Sequence, residues 1–220
     1  REVIIMERLI KIGKIKPRKA SEIKNSRIGI GFEKLDRKVF NPEKAYDKLA
    51  MIGAKWVRIQ SGWERTEQEK GVYDFEWLDS IVDNLLERGL VPWINLAYGN
   101  GLYDDDAAKV FGAVGCPPVK SEEAKKGWAD YITALAAHMK GRISYYEVWN
   151  EPDGEWCWKH GPNGKEYGQF VVDTSVALKK GDSSAKVIGG AICMAKPLDF
   201  AYDAFSVGMG EHIDAFTNMS

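Results

Sequence analysis

Glu151 is the side chain of this sequence best placed to move a proton. It ends the run Tyr145-Tyr146-Glu147-Val148-Trp149-Asn150-Glu151-Pro152. Aromatic and β-branched residues there favour a buried strand as far as Trp149, and Pro152, lacking an N–H, stops the ladder. A carboxylate in that place stands at a rim, where barrel enzymes keep their chemistry. Two carboxyl groups flanking a glycosidic bond are the minimal equipment for sugar hydrolysis, one protonating the leaving oxygen and the other attacking or activating water. A lone glutamate at a strand end is more often a solvated rim residue, so its neighbours matter. Asn150 can donate to a sugar 2-hydroxyl, an interaction that strengthens as positive charge develops at the anomeric carbon. Both residues reach one cleft only if the strand kinks or bulges, because consecutive strand residues face opposite sides. Trp149, Trp156 and Trp158 could wall the carboxyl and keep it a proton donor near neutrality. Arg58, near the end of an earlier strand, could hold a neighbouring carboxylate ionised and oriented, although a purely structural role fits it equally.

Other side chains give a weaker signal. Trp63, Tyr98, Tyr103, Trp156, Trp158 and His160 follow proposed strands, where flat rings could stack on sugar C–H faces. Each taken singly is more often packing than platform. His160 could hydrogen-bond a hydroxyl, but no second histidine sits at a ligand spacing, so neither a metal nor another cofactor is expected. The serines and cysteines show no nucleophile elbow.

The elements that must position these groups alternate between strand-like runs and helical stripes, the signature of βα units around a parallel sheet. Strands are expected at 27–32, 55–60, 90–96, 143–149, 186–192 and 212–217. Asn41-Pro42 opens a helix whose buried face carries Ala45, Leu49 and Ile52 and which Gly53 closes. Leu78, Ile81, Val82, Leu85 and Leu86 mark an amphipathic helix stopped by Gly89. Ser121 starts another with Trp128, Ile132, Leu135 and Met139, after a long excursion over 99–120. Tyr167, Phe170, Val171, Thr174 and Leu178 mark the next, and Pro197 to Phe205 a further one. Six strands fit either an open doubly wound sheet or a (β/α)8 TIM-type barrel cut short, since a typical barrel needs about 250 residues. The open sheet would carry a phosphate-gripping loop, yet Gly29-Ile30-Gly31 lacks the third glycine. The expected organisation is an N-terminal extension, 1–26, and an incomplete barrel catalytic domain, 27–220.

Composition excludes several alternatives. With 31 basic and 32 acidic residues and no long block of one sign, the chain has no electrostatic footprint for nucleic acid. No apolar stretch could span a bilayer, and Glu7 and Arg8 break the Val3-Ile4-Ile5-Met6 run before it could serve as a signal core. The chain starts at Arg1 without a Met, which leaves a soluble cytoplasmic protein and one secreted after signal removal both open. Cysteines at 116, 157 and 193, an odd number without a Cys-x-x-Cys pair, point to buried free thiols.

The pattern resembles the retaining glycoside hydrolases of clan A, in which an Asn-Glu pair ends the fourth barrel strand and its Glu is the proton donor. It is most similar to glycoside hydrolase family 39, through Trp56-Val57-Arg58, Gly71-Val72-Tyr73-Asp74-Phe75, Tyr146 to Asp153 and Val187-Ile188-Gly189-Gly190. The resemblance spans residues 27 to 195 and implies Glu151 as general acid/base and Asn150 as the 2-hydroxyl partner. It also implies Arg58 as support for the nucleophile and Glu33 as a sugar-binding residue. The nucleophile it implies, a glutamate ending the seventh strand, is expected beyond residue 220. Glu147, four residues before Glu151 and therefore about 13 Å back along the strand, is too far from the reacting centre and is expected as a buried structural acid. The expected ligand is a carbohydrate, with a C-terminal segment or second chain completing the barrel. Residues 1–220 alone are then expected to be inactive. The alternative is a non-catalytic sugar-binding or interaction protein, whose open sheet edges would favour self-association.

Overall fold

Six short runs become six parallel strands that lie side by side in chain order: β1 (Gly29–Gly31), β2 (Trp56–Gln60), β3 (Val91–Leu96), β4 (Tyr145–Val148), β5 (Lys186–Ile192) and β6 (Ala215–Asn218). The computed structural model describes residues 12–14, 16–109, 112–193 and 198–218. A doubly wound sheet reverses its strand order at a switch point; here each strand pairs with the next without reversal, as in a barrel wall. The sheet curls into a half-barrel, and inward side chains meet across skipped strands. Arg58 of β2 bonds Glu147 of β4, and Thr217 of β6 bonds the same carboxylate.

Strand alternation sorts the wall into two faces. Val57, Ile59, Ile94, Leu96, Tyr146, Val148 and Val187 are buried under the helices, which is why these strands read as nearly continuous apolar runs. The inward positions form tiers. Trp56, Trp93, Tyr145 and Ile188 line the lower interior together with Gly29. Arg58, Asn95, Glu147 and Thr217 form a polar tier above them.

The helices are α1 (Tyr46–Met51), α2 (Trp63–Thr66), α3 (Glu76–Glu87), α4 (Glu122–Met139), α5 (Gly164–Gly181), α6 (Leu198–Ser206) and α7 (Met209–His212). Ser121 Oγ caps α4 by accepting from the Ala124 N–H at 3.1 Å, and Asn163 Oδ1 caps α5 through the Glu166 N–H at 3.0 Å. The expected stripe of α3 is realised, with Leu78, Ile81, Val82 and Leu85 buried. Asn41-Pro42 opens only a 3-10 turn, Pro42–Lys44, before α1. Ile52, expected on the buried face, is exposed, because the helix ends at Met51 and Ile52 is already turning toward Gly53.

The first strand is shorter than expected, and the sixth begins at Ala215 because His212 closes α7. Residues 20–26 pack at the start of β2. Lys55 Nζ donates to the Ala20 carbonyl at 3.1 Å and Trp56 Nε1 to the Ser26 carbonyl at 2.8 Å. The Val3–Met6 run, Pro197, Met219 and Ser220 lie outside the described residues.

Candidate active site

The strand end at Glu151 does kink, and the backbone shows how. Trp149 and Glu151, on either side of Asn150, both take left-handed conformations, with φ of 65° and 49°. L-residues enter that region at a cost of about 1–3 kcal/mol each, so the surroundings must hold them there. Neighbouring strands do so. The Trp149 N–H donates to the Leu96 carbonyl at 3.0 Å, Asn95 Nδ2 donates to the Trp149 carbonyl, and the Glu151 N–H donates to the Ala191 carbonyl at 2.9 Å.

That last acceptor exists because β5 is itself irregular, with a register shift between Gly189 and Ile192 and φ of 103° at Gly190. Glycine is required at 190, where a Cβ would lie 2.3 Å from the Thr217 carbonyl oxygen. Tyr167 of α5 clasps the two strand ends, its hydroxyl donating to the Val148 carbonyl and accepting from the Gly190 N–H.

The side chains converge on Arg58, which is buried and has three partners. Nε donates to Glu147 at 2.5 Å, Nη1 to Glu33 at 2.5 Å and Nη2 to Asn150 Oδ1 at 3.0 Å. Burial works against the guanidinium charge, but the Glu147 and Glu33 carboxylates more than offset it and its pKa is raised. Glu147 also accepts from Asn95 Nδ2 at 3.3 Å and Thr217 Oγ1 at 3.0 Å, and is 3% exposed. It is thus the buried acid its strand position led us to expect.

Because Arg58 occupies the Asn150 oxygen, the amide presents its N–H groups, one of them toward Cys157 Sγ at 3.7 Å. Glu151 is partly exposed and accepts from Trp156 Nε1. Asp153 accepts from the Cys193 N–H at 3.0 Å. Burial pushes the Cys157 thiol up to about 11 and the Cys193 thiol up to about 12, so both are neutral and poor nucleophiles at ordinary pH.

The aromatic residues divide. Trp156 is 51% exposed beside Glu151. Trp63 and Trp158 are fully buried, which corrects their expected place as sugar platforms. Trp63 turns inward from α2, stacks on Tyr103 and Tyr131, and donates to Glu67 Oε2 at 2.5 Å. Trp158 packs edge-on against Trp149 and donates to Glu166 Oε2 at 2.8 Å. The Trp149 ring is buried too and donates to the Cys157 carbonyl, so of the three tryptophans expected around Glu151 it is Trp156 that touches its carboxylate.

Tyr98 is 6% exposed, with Arg37 over its ring and its hydroxyl accepting from Gln60 Nε2 at 3.2 Å. Its open capacity is therefore polar rather than stacking. His160 pairs with Glu166 in the first turn of α5 at 2.6 Å and not with the Arg58 cluster. Sequence reasoning missed Asn95 and Gln60. The signal was there, as both are amides on the inward parity of apolar strands, in line with Arg58 and Glu147.

Trp63→Phe is expected to lower folding stability by about 1–3 kcal/mol, since buried Glu67 loses a donor. Denaturant unfolding checks this; a raised KM with unchanged stability would return Trp63 to the cleft.

Among the described residues no group of three or more His, Cys, Asp or Glu could hold a metal, and no helix is long and apolar enough to cross a membrane. In solved structures the same strand arrangement recurs. A GH39 β-xylosidase from Caulobacter crescentus matches with a TM-score of 0.70 at 21% identity, covering 94% of this chain and 48% of that one. Xylanase 10B from Thermotoga petrophila matches with a TM-score of 0.66 at 16% identity, over 94% of this chain and 64% of that one. These likenesses show the barrel fold.

In sequence, the chain is 30% identical over 158 residues to a β-xylosidase of Caldicellulosiruptor saccharolyticus, covering 64% of this chain and 31% of that protein. It is also 30% identical over 132 residues to a β-xylosidase of Geobacillus stearothermophilus, covering 56% of this chain and 25% of that protein. The chain thus spans about a third or less of the length of these relatives. The model of glycosyl hydrolases family 39 matches residues 39–203, which take in β2 to β5 and the whole Arg58–Asn150–Glu151 constellation, and to that family this chain belongs.

Proposed function

We propose that this chain carries the proton-donor half of a retaining glycoside hydrolase acting on O-glycosidic bonds of oligo- or polysaccharides. The observation that carries the reading is the left-handed kink at Trp149 and Glu151, which turns a buried strand into a rim where Asn150 and Glu151 act side by side. Glu151 protonates the leaving oxygen and, in the second half-reaction, takes a proton from the attacking water. Asn150, its oxygen held by Arg58, offers its amide N–H groups to the 2-hydroxyl. Glu33, partly exposed and steadied by Arg58, offers its remaining lone pairs to a sugar hydroxyl, and the Tyr98 hydroxyl stands nearby for the same ligand.

The nucleophile must come within about 5–5.5 Å of the acid/base carboxyl. Glu147 is committed to Arg58, Asn95 and Thr217, and Glu33 to Arg58, so neither is suited to attack an anomeric carbon. We assign that role to a carboxylate outside residues 1–220, on sequence or a second chain that completes the barrel.

Because the curated relatives are named β-xylosidases, aryl β-xylosides are the first substrates to try on the full-length protein. Proton NMR of the first-formed sugar is expected to show retained anomeric configuration. An inverted product would overturn the double displacement, and binding without turnover would favour the sugar-binding alternative.

A further inference from the structure

Glu151 is held at two points, and the second is not part of the strand. Its backbone is pinned by the Ala191 carbonyl of β5 at 2.9 Å, while one carboxylate oxygen, Oε2, accepts from the indole N–H of Trp156, five residues further on. The indole is 51% exposed, so burial does not explain its orientation. A local device does. The loop turns tightly after Glu151, with the Gly154 N–H donating to the Glu151 carbonyl at 3.1 Å, and the indole lies directly over Gly154. A Cβ on residue 154 would stand 2.5 Å from ring atoms Cε2 and Cζ2, closer than any real contact. Glycine at 154 is thus what lets the ring reach back to the carboxylate.

We propose that Trp156 is a positioning residue for proton transfer: its N–H occupies Oε2 and leaves Oε1 of Glu151 as the oxygen that carries the proton to the leaving group. This rests on the assignment of Glu151 as the proton donor. The physical content is orientation. A carboxyl on a free rotor samples many directions, and fixing one oxygen by a hydrogen bond aims the other along the cleft. In the step so aimed, the Oε1–H bond breaks as the glycosidic oxygen takes the proton, the C–O bond to the leaving group breaks with its electron pair passing to that oxygen, and the anomeric carbon bonds to an oxygen of the nucleophile carboxylate, which supplies the new pair.

Leaving-group dependence in the full-length protein tests this, because proton donation matters for poor leaving groups and hardly at all for a good one. Trp156→Phe keeps an aromatic face but no donor. It is expected to slow kcat/KM about tenfold for an aryl glycoside with a poorly acidic phenol, a part of the 10²–10⁴-fold that general acid catalysis supplies, and to leave a dinitrophenyl glycoside within about twofold. Gly154→Ala, which displaces the indole without removing it, is expected to reproduce that pattern.

Equal losses on both substrates in Trp156→Phe, or a raised KM alone, would make the indole a stacking surface and overturn the proposal. Glu151→Gln in the same series separates the two levels. If it shows the steep leaving-group dependence while Trp156→Phe does not, only the positioning role fails. If Glu151→Gln shows none, the proton-donor assignment itself fails.

Discussion

Glu151→Ala in the full-length protein is expected to lower turnover of glycosides with poor leaving groups by about 10²–10⁴-fold, the usual yield of a positioned general acid. The loss should be smaller for activated leaving groups. On these, the slow step becomes attack on the glycosyl-enzyme, where the missing carboxylate can no longer take the proton from water. Added azide needs no such help, being already an anion, and is expected to restore part of the turnover and to give a glycosyl azide of retained configuration. Unchanged activity in Glu151→Ala would sink the assignment. The variant should fold normally, because Glu151 is partly exposed and its backbone bond to Ala191 does not involve the side chain.

Arg58→Met is expected to act on the fold and on the site together. The guanidinium holds Glu147, Glu33 and Asn150 through separate nitrogens, and its loss leaves Glu147 as a buried carboxylate with Asn95 and Thr217 as its remaining donors among the described residues. Removing one partner of a buried ion pair typically costs about 3–5 kcal/mol, most of it the penalty of the charge left behind. The double variant Arg58→Met with Glu147→Gln should therefore be more stable than Arg58→Met alone, because the orphaned charge is gone. Denaturant midpoints of the four proteins in that cycle measure the coupling. Activity should not return with stability, as Asn150 still lacks the donor that orients its amide. Additive losses would mean that Arg58 and Glu147 do not depend on each other, against the 2.5 Å contact.

Much of the framework was legible from periodicity. Residues Lys186 to Ile192 form a strand with the expected bounds, and α3 buries the expected stripe, because apolar runs and spacings of three and four are local signals of burial. The capping signal at Ser121 lies equally close to the bond it makes. Differences arise where a residue's fate depends on how its side chain turns and packs rather than on its place after a strand or in a stripe. Trp63 and Trp158 follow strands and so looked like rim residues, but Glu67 and Glu166 take their indole N–H groups and the rings fold under the loops. Ile52 fits the spacing of the buried stripe, but the helix ends one residue earlier, at Met51, and Ile52 caps it facing solvent.

The sequence by itself determined that a strand ends at Asn150-Glu151-Pro152, that an arginine lies on an earlier strand end, and that both residues could share a cleft only through a kink. These follow from pleat parity and from the missing N–H of proline, which act within a few residues. Only the tertiary structure decided that Trp149 and Glu151 take the left-handed conformations, since such strain persists only where Leu96, Asn95 and Ala191 on flanking strands supply the bonds that offset it. Which partners Arg58 would bind, and which tryptophan would reach the carboxylate, were likewise settled by the curl of the wall and the close approach over Gly154.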